Sequence, residues 1–183
     1  MQTLTLPHLL PLFALLIWAA MGDVRERRIR NWLTLTLAIL GVGQSFMAHH
    51  TVSPGASLLG LASGFGLTFI LFAMGALGGG DVKLLAGLGA WLGAGPTLAV
   101  FCLAAIIGMF IVLGQAAWQG RLAKLLHNTV LVTINVIHVR EVGMEHAAAT
   151  GKSCRSVERP LPYAVPVLIA VSMLVAWSIC PLR

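Results

Sequence analysis

The sequence predicts an all-α fold, a polytopic bundle of about six membrane-spanning helices. Hydrophobic residues make up 58% of the 183 residues and only 10% are charged, with a mean hydropathy of +0.90. A soluble globular protein carries roughly 25% charged residues, so this chain has too few charges to cover a water-facing surface. The bilayer is therefore the expected solvent, and the length leaves room for about six spans and one sizeable loop.

Six apolar stretches follow one another along the chain, and we treat them as one membrane domain, 1–183. The predicted spans lie at about 4–22, 32–48, 56–77, 81–95, 97–118 and 161–180. The apolar part of the fourth, Val82 to Ala94, is too short to cross a bilayer alone. Its helix is expected to begin before Asp81 or to continue past Pro96, although Gly95-Pro96 predicts a turn at that point.

The basic residues orient the bundle. Cytoplasmic loops carry an excess of Lys and Arg, so we place the N-terminus outside and the segments 23–31, 78–83 and 119–160 inside. These three segments hold every basic residue except Arg183. The net charge of +6 is then explained by topology, and no nucleic-acid partner is expected. A basic cluster that follows the first apolar stretch is typical of a retained span rather than a cleaved signal peptide.

The segment 119–160 is the one long cytoplasmic loop, and its first part has apolar residues at helical spacing. A helix lying on the membrane interface fits this pattern, and a seventh span across 122–139 is the alternative. The polar residues His127, Asn128, Asn135 and His138 favour the interfacial helix. The sequence leaves both possibilities open.

Glycines at four-residue spacing occur in two of the predicted spans. Gly60 and Gly64 form one pair, and Gly89 and Gly93 form another. Small residues at this spacing allow helices to approach closely in a membrane. We assign these glycines to packing and not to chemistry.

The chain has only two aspartates, Asp23 and Asp81, and both lie at predicted cytoplasmic span ends. Ionisable groups at membrane spans are costly and are usually functional. Two carboxylates that share a site do not both ionise easily, so one proton is shared between them. The charged member can take a proton from water while the neutral member donates to a carbonyl oxygen. The pair is therefore a candidate site for peptide-bond hydrolysis without a covalent intermediate.

Each aspartate also has a structural interpretation. Asp23 can pair with Arg25 or Arg27, and Asp81 can cap the next helix after a flexible glycine turn. The occurrence of both aspartates on one side of the membrane favours the catalytic interpretation. No GxSxG motif is present, no cysteine has a clear histidine partner, and no cysteine or histidine spacing indicates a metal site. Neither a metal nor an organic cofactor is expected.

Three segments resemble motifs of the bacterial type IV prepilin peptidases, which are GxGD aspartyl membrane proteases. Residues 78–84, GGGDVKL, resemble the GxGDxKL motif of that family. Residues 23–31 resemble its first motif, an aspartate followed by a basic stretch and Ile-Pro-Asn, with Arg30 in place of the proline. Residues 160–166, PLPYAVP, resemble the Pro-Tyr-Ala-Pro segment that opens its last span, although the glycine expected after it is absent.

The resemblance implies a catalytic pair, Asp23 and Asp81, that cleaves the leader peptide of a prepilin or pseudopilin. Cleavage would follow a glycine at the cytoplasmic face of the bacterial inner membrane. Gly78 and Gly80 would let the backbone approach the substrate. Lys83 would bias the ionisation of the pair or act as a snorkelling anchor. Asn31 would orient a carboxylate or cap a helix at the interface.

Larger members of that family carry an N-terminal domain with paired CxxC motifs, which is linked to N-methylation of the product. The chain has no CxxC pair and resembles the short, peptidase-only form of tight-adherence (Flp) pilus systems, so no methyltransferase activity is expected. The expected partners are the substrate and the lipid bilayer, and the oligomeric state stays open. Two rival functions are a small proton-coupled transporter and a non-catalytic scaffold of a pilus or secretion machine.

Overall fold

The structure, a computed structural model, describes residues 6–47, 52–74, 77–120 and 162–179. Within these ranges every regular element is a helix, and the predicted all-α fold is confirmed. The helices are α1 (Leu6–Glu26), α2 (Asn31–Gln44), α3 (Pro54–Ala73), α4 (Gly79–Leu92), α5 (Ala94–Trp118) and α6 (Ala164–Ile179). The two alternatives for 122–139 concern residues outside the described ranges.

Two of the described helices, α3 and α5, are long and apolar enough to cross a membrane. Large apolar side chains on their surfaces are exposed, among them Phe65, Phe69, Ile106 and Phe110. Extended apolar surface of this kind is rare on soluble monomers and is consistent with a helical membrane protein. The count of six spans and their orientation stay predictions.

Helix α4 occupies the centre of the bundle. Ten of its 14 residues are buried, and it packs against α2, α3 and α5. A helix that is apolar on all sides is expected inside a protein rather than against solvent. Neighbouring helices therefore surround this short element, and its first turn, which carries Asp81, lies at one end of the bundle.

Three of the paired glycines, Gly60, Gly64 and Gly89, lie where α3 meets α4. A Cβ atom added at Gly60 would overlap the carbonyl oxygen of Gly89, and one added at Gly89 would overlap that of Gly60. A Cβ atom at Gly64 would lie 2.6 Å from the carbonyl oxygen of Leu85. The backbones of α3 and α4 approach this closely only because these positions have no side chain.

The expected turn at Gly95-Pro96 is wrong, because the break between α4 and α5 lies at Gly93. This glycine has φ +81°, a left-handed conformation that costs glycine little. Pro96 lies in the first turn of α5, where a missing N–H breaks no intrahelical hydrogen bond. At its other end, α4 begins at Gly79, before Asp81, which is one of the two extensions that the sequence predicted.

Helix α6 closes the bundle by packing against α1 and α5. Leu12 and Leu16 of α1 and Val167 and Val171 of α6 have no exposed surface and belong to one apolar cluster. This packing brings the start of α6 to the end of α1. The same end of the bundle therefore holds the last turns of α1 and the first turns of α4 and α6.

Candidate active site

Asp23 lies near the end of α1 and is 7% exposed. Its Oδ2 atom accepts a hydrogen bond from the main-chain N–H of Ala164 at 2.9 Å. Ala164 is the first residue of α6, so this N–H is one of the donors that a helix start leaves without an intrahelical partner. The positive end of α6 thus faces the carboxylate and stabilises its charged form.

Asp81 lies in the first turn of α4, and its carboxylate closes that turn. The main-chain N–H of Gly78 donates to Asp81 Oδ2 at 3.1 Å, and the N–H of Asp81 donates to the carbonyl oxygen of Gly78 at 3.1 Å. The helix-capping contact considered for Asp81 is therefore present. It uses one carboxylate oxygen and leaves Oδ1 without a hydrogen bond among the described residues.

Asp23 does not form the ion pair with Arg25 or Arg27 that its structural interpretation required. In the described part of the chain, the ion pair at this end of the bundle joins Arg30 to Glu26 at 2.7 Å. The charge of Arg27 acts on Asp23 only as a longer-range attraction. Asp23 is therefore a buried carboxylate whose hydrogen-bond partner is a helix start.

The two carboxyl groups influence each other's ionisation. Asp23 directly follows the first apolar stretch, which ends at Gly22, and Asp81 directly precedes the fourth, which begins at Val82. Burial raises the pKa of Asp81 to about 6, the Gly78 N–H lowers it, and the negative charge of Asp23 raises it further. Burial also raises the pKa of Asp23, against the Ala164 N–H and the charge of Arg27. Such a pair holds one proton over part of the pH range in which neither carboxyl would be protonated in water.

Lys83 and Asn31 contact each other and not the aspartates. Lys83 Nζ donates to Asn31 Oδ1 at 3.0 Å, which joins the N-terminal part of α4 to the start of α2. No hydrogen bond or ion pair in the described residues connects either side chain to a carboxylate. Their proposed influence on the pair stays a prediction.

Gly78 and Gly80 border the site closely. A Cβ atom at Gly78 would lie 3.1 Å from Asp81 Oδ2, and one at Gly80 would lie 3.1 Å from the Cβ atom of Ile29. The first turn of α4 therefore packs against the segment between α1 and α2. Arg30 in that segment has φ −68° and ψ 130°, a conformation that proline also adopts, so the replacement of the family's proline leaves a proline-like backbone.

No group of three or more His, Cys, Asp or Glu side chains in the described ranges could hold a metal ion. The polar groups assembled here are two carboxylates, the N–H groups of Gly78 and Ala164, and the linked Lys83 and Asn31. Two carboxylates with raised pKa values can exchange protons with water and with a carbonyl group.

A family model described as the type IV leader peptidase family matches residues 10–113, which is more than half of the chain. The chain belongs to the type IV leader peptidase family. The matched region contains both aspartates and the glycine turn, and the predicted family is confirmed. Members of this family are membrane enzymes, in agreement with the apolar helices α3 and α5.

One relative of this chain is the preflagellin peptidase of Methanococcus maripaludis (strain C6 / ATCC BAA-1332). The two are 38% identical over 78 residues, which are 41% of this chain and 34% of the relative. The chain thus covers about a third of the length of that protein. No solved structure matches the chain.

The start of α6 is the part of the site that the sequence did not predict. It lies outside the matched region of the leader peptidase family, yet Ala164 binds Asp23 and the neighbouring Tyr163 has its hydroxyl oxygen buried. The available signal was the PLPYAVP segment, on the predicted cytoplasmic side. That segment indicates where a helix begins, but not which carboxylate it binds.

Proposed function

We propose that this chain is a membrane aspartyl endopeptidase that removes the leader peptide of prepilins or pseudopilins. Cleavage takes place at the cytoplasmic face of the bacterial inner membrane. The observation that carries the proposal is that Asp23 and Asp81, the chain's two aspartates, lie at one end of the bundle, where the charge of Asp23 raises the pKa of Asp81. Each carboxylate has one oxygen bound by a main-chain N–H and another free of protein hydrogen bonds in the described residues.

The ionised carboxylate acts as the general base, and the neutral one acts as the general acid. As the water oxygen bonds to the scissile carbonyl carbon, a water proton passes to the ionised carboxylate. The neutral carboxyl donates its proton to the carbonyl oxygen, which gives a tetrahedral diol. The diol then collapses as the C–N bond breaks: one of its hydroxyl groups returns a proton to the carboxylate that had acted as general acid, and the leaving nitrogen takes the proton that the general base had accepted.

The position of the pair supports a substrate cut near the membrane surface. Both carboxyls lie just outside apolar stretches, where water is available and where the end of the substrate's apolar helix can reach the site. The family match supports a leader peptide as substrate. A basic leader followed by an apolar helix would place its cleavage site at this depth.

A leader-cleavage assay tests the proposal. Membranes that contain the wild type, Asp23→Asn, Asp81→Asn or Glu26→Gln are incubated with a prepilin, and the shortened product is followed on gels. Asparagine keeps the shape of aspartate but removes the exchangeable proton, so we expect cleavage by the wild type and none by either aspartate variant.

Glu26→Gln is the matched control, because Glu26 is a carboxylate at the same end of α1 that pairs with Arg30 instead of facing the site. It should cleave at the wild-type rate. Undiminished cleavage by Asp23→Asn or Asp81→Asn would exclude the two-aspartate mechanism. Failure of the wild type on several prepilins would contradict the proposed activity itself.

A further inference from the structure

A cavity of about 330 Å³ opens where the end of α1 meets the start of α2. Its walls differ in chemical character. Trp18, Met21 and Leu33 line the part that lies toward the middle of the bundle, and Arg25 and Arg28 line the part at the end of α1. Neither aspartate of the candidate active site is among the described residues that line it. The cavity therefore joins an apolar wall to a cationic wall at a place that the proposed hydrolysis does not use.

The charge along this cavity is positive. Glu26 and Arg30 also line it, and they neutralise each other in the ion pair at 2.7 Å. Arg25 and Arg28 are exposed, and their side chains form no ion pair within the described ranges. No side chain caps the start of α2, which borders the cavity, so the positive end of that helix adds to the charge of the two arginines. The ligand that this wall favours is an anion.

An aromatic contact places the cavity at the level where a membrane meets water. Trp18 packs edge-on against Trp32, with ring centroids 5.8 Å apart, and about half of each residue is exposed. Tryptophan is enriched at the boundary between the hydrocarbon core and the lipid headgroups. Arg25 follows Trp18 by about two helical turns. The arginines therefore lie at the level of the lipid phosphates.

A second cavity, of about 250 Å³, adjoins the first between α1 and α6. The two cavities share Met21 and Arg25. The remaining residues that line the second cavity are all apolar, namely Ile17, Ala20, Val24 and Leu168. An acyl chain would bury apolar surface there, whereas a soluble phosphate would not use this cavity. A basic leader peptide would be repelled by the arginines.

We propose that the two adjoining cavities bind one anionic phospholipid. Its phosphate lies on Arg25 and Arg28, and one of its acyl chains lies in the apolar cavity between α1 and α6. Guanidinium groups suit this headgroup because their paired N–H donors match the oxygens of a phosphate. Met21, which lines both cavities, lies where the headgroup meets the chain.

Native mass spectrometry of the full chain, released from detergent micelles, tests the proposal by counting retained lipids. The probes are phosphatidylglycerol, which is anionic, and phosphatidylcholine with the same acyl chains, which carries no net charge. We expect one phosphatidylglycerol per chain, bound roughly 25-fold more tightly than phosphatidylcholine, from about 5-fold for each arginine. Arg25→Gln and Arg28→Gln should each reduce this preference to roughly 5-fold. Glu26→Gln should increase it, because Arg30 loses the carboxylate that neutralises it.

Arg27→Gln is the matched control. It removes the same charge from the same segment, but Arg27 is not among the described residues that line either cavity. This variant should keep the wild-type preference for phosphatidylglycerol. Arg25, Arg27 and Arg28 are all exposed, so the three glutamine variants should keep the wild-type unfolding midpoint. An equal loss of preference in all three variants would overturn the proposal, because it would show a general attraction of the basic segment for anionic lipid.

Two competition experiments identify the occupant. Glycerophosphoglycerol, the same headgroup without acyl chains, should not displace phosphatidylglycerol, and displacement would show a site for soluble phosphate esters instead of a lipid. A prepilin should leave the lipid bound, and displacement by the prepilin would assign the cavities to the substrate. Equal retention of phosphatidylglycerol and phosphatidylcholine by the wild type would also overturn the proposal. None of these results depends on whether the chain cleaves a prepilin.

Discussion

At the scale of single residues, opposing influences set the ionisation of each aspartate. Burial disfavours the charged form of Asp81 and Asp23, while a main-chain N–H at a helix start favours it. Burial outweighs the hydrogen bond at both positions, since both pKa values are raised. A general acid that stays protonated near neutral pH needs this balance.

The raised pKa of Asp81 predicts how cleavage depends on pH. The neutral carboxyl of Asp81 loses its proton as pH rises through about 6. We therefore expect a bell-shaped dependence of kcat/KM on pH, in which kcat/KM decreases on the alkaline side with an apparent pKa of about 6. Initial rates of leader cleavage between pH 4 and 9 measure this. A rate that is independent of pH across about 5 to 8 would contradict the assignment of Asp81 as part of a proton-sharing pair.

The same shift predicts a pH dependence of stability. The folded protein holds the Asp81 proton more tightly than the unfolded chain does, because the ordinary pKa of an aspartate carboxyl is 3.8. Stability should therefore decrease as pH rises from about 4 to about 6 and change little above that range. Unfolding midpoints in detergent should show a smaller decrease for Asp81→Asn than for the wild type. Equal decreases would mean that other groups cause the effect.

At the scale of helices, the contact between α3 and α4 determines where Asp81 lies. Gly60 and Gly89 touch backbone to backbone, so α4 is fixed against α3 along its length. The sequence predicted close packing from the glycine spacing but did not reveal that Gly60 packs against Gly89 while Gly64 packs against Leu85. It also misplaced the break before α5, because Gly93 and Gly95-Pro96 are all turn signals, and only the observed φ of Gly93 distinguishes them.

Replacing Gly60 by alanine should separate α3 from α4. The added methyl group would overlap the carbonyl oxygen of Gly89, which cannot move without shifting α4. We expect a destabilisation at the upper end of the about 1–3 kcal/mol typical of overpacking. Leader cleavage should decrease as well, because the shift displaces Asp81.

Gly66→Ala is the control within the same helix, because nothing lies within 4 Å of a Cβ atom at that position. It should leave stability and cleavage near the wild-type values, or raise stability slightly through the higher helix propensity of alanine. Denaturant or thermal unfolding in detergent compares the two variants. Equal stability of Gly60→Ala and Gly66→Ala would contradict the close approach of α3 and α4.

At the scale of the whole molecule, the site is built from helix ends that are far apart in sequence. Composition and the scarcity of charge predicted the all-α membrane fold, and the rarity of aspartate singled out Asp23 and Asp81. The hydrogen bond from Ala164 to Asp23 was not predictable, because it joins residues 141 positions apart. It depends on the packing of α6 against α1, which the uniformly apolar pattern of both helices does not specify.

One end of the bundle holds the Ala164 contact, the glycine turn and the Lys83–Asn31 link. A single experiment on the orientation of the bundle in the membrane therefore tests the side on which cleavage occurs. The basic segment between α1 and α2 is predicted to be cytoplasmic, and the segment between α2 and α3 external. In a background without Cys102, Cys154 and Cys180, Arg28→Cys places one thiol in the basic segment and Gly55→Cys places one in the first turn of α3, next to the external segment; both positions are exposed. A membrane-impermeant maleimide added to intact spheroplasts should label Gly55→Cys and should label Arg28→Cys only after permeabilisation. The reverse pattern would place both aspartates on the external face, and the proposed cytoplasmic cleavage would then be wrong even if the peptidase activity were demonstrated.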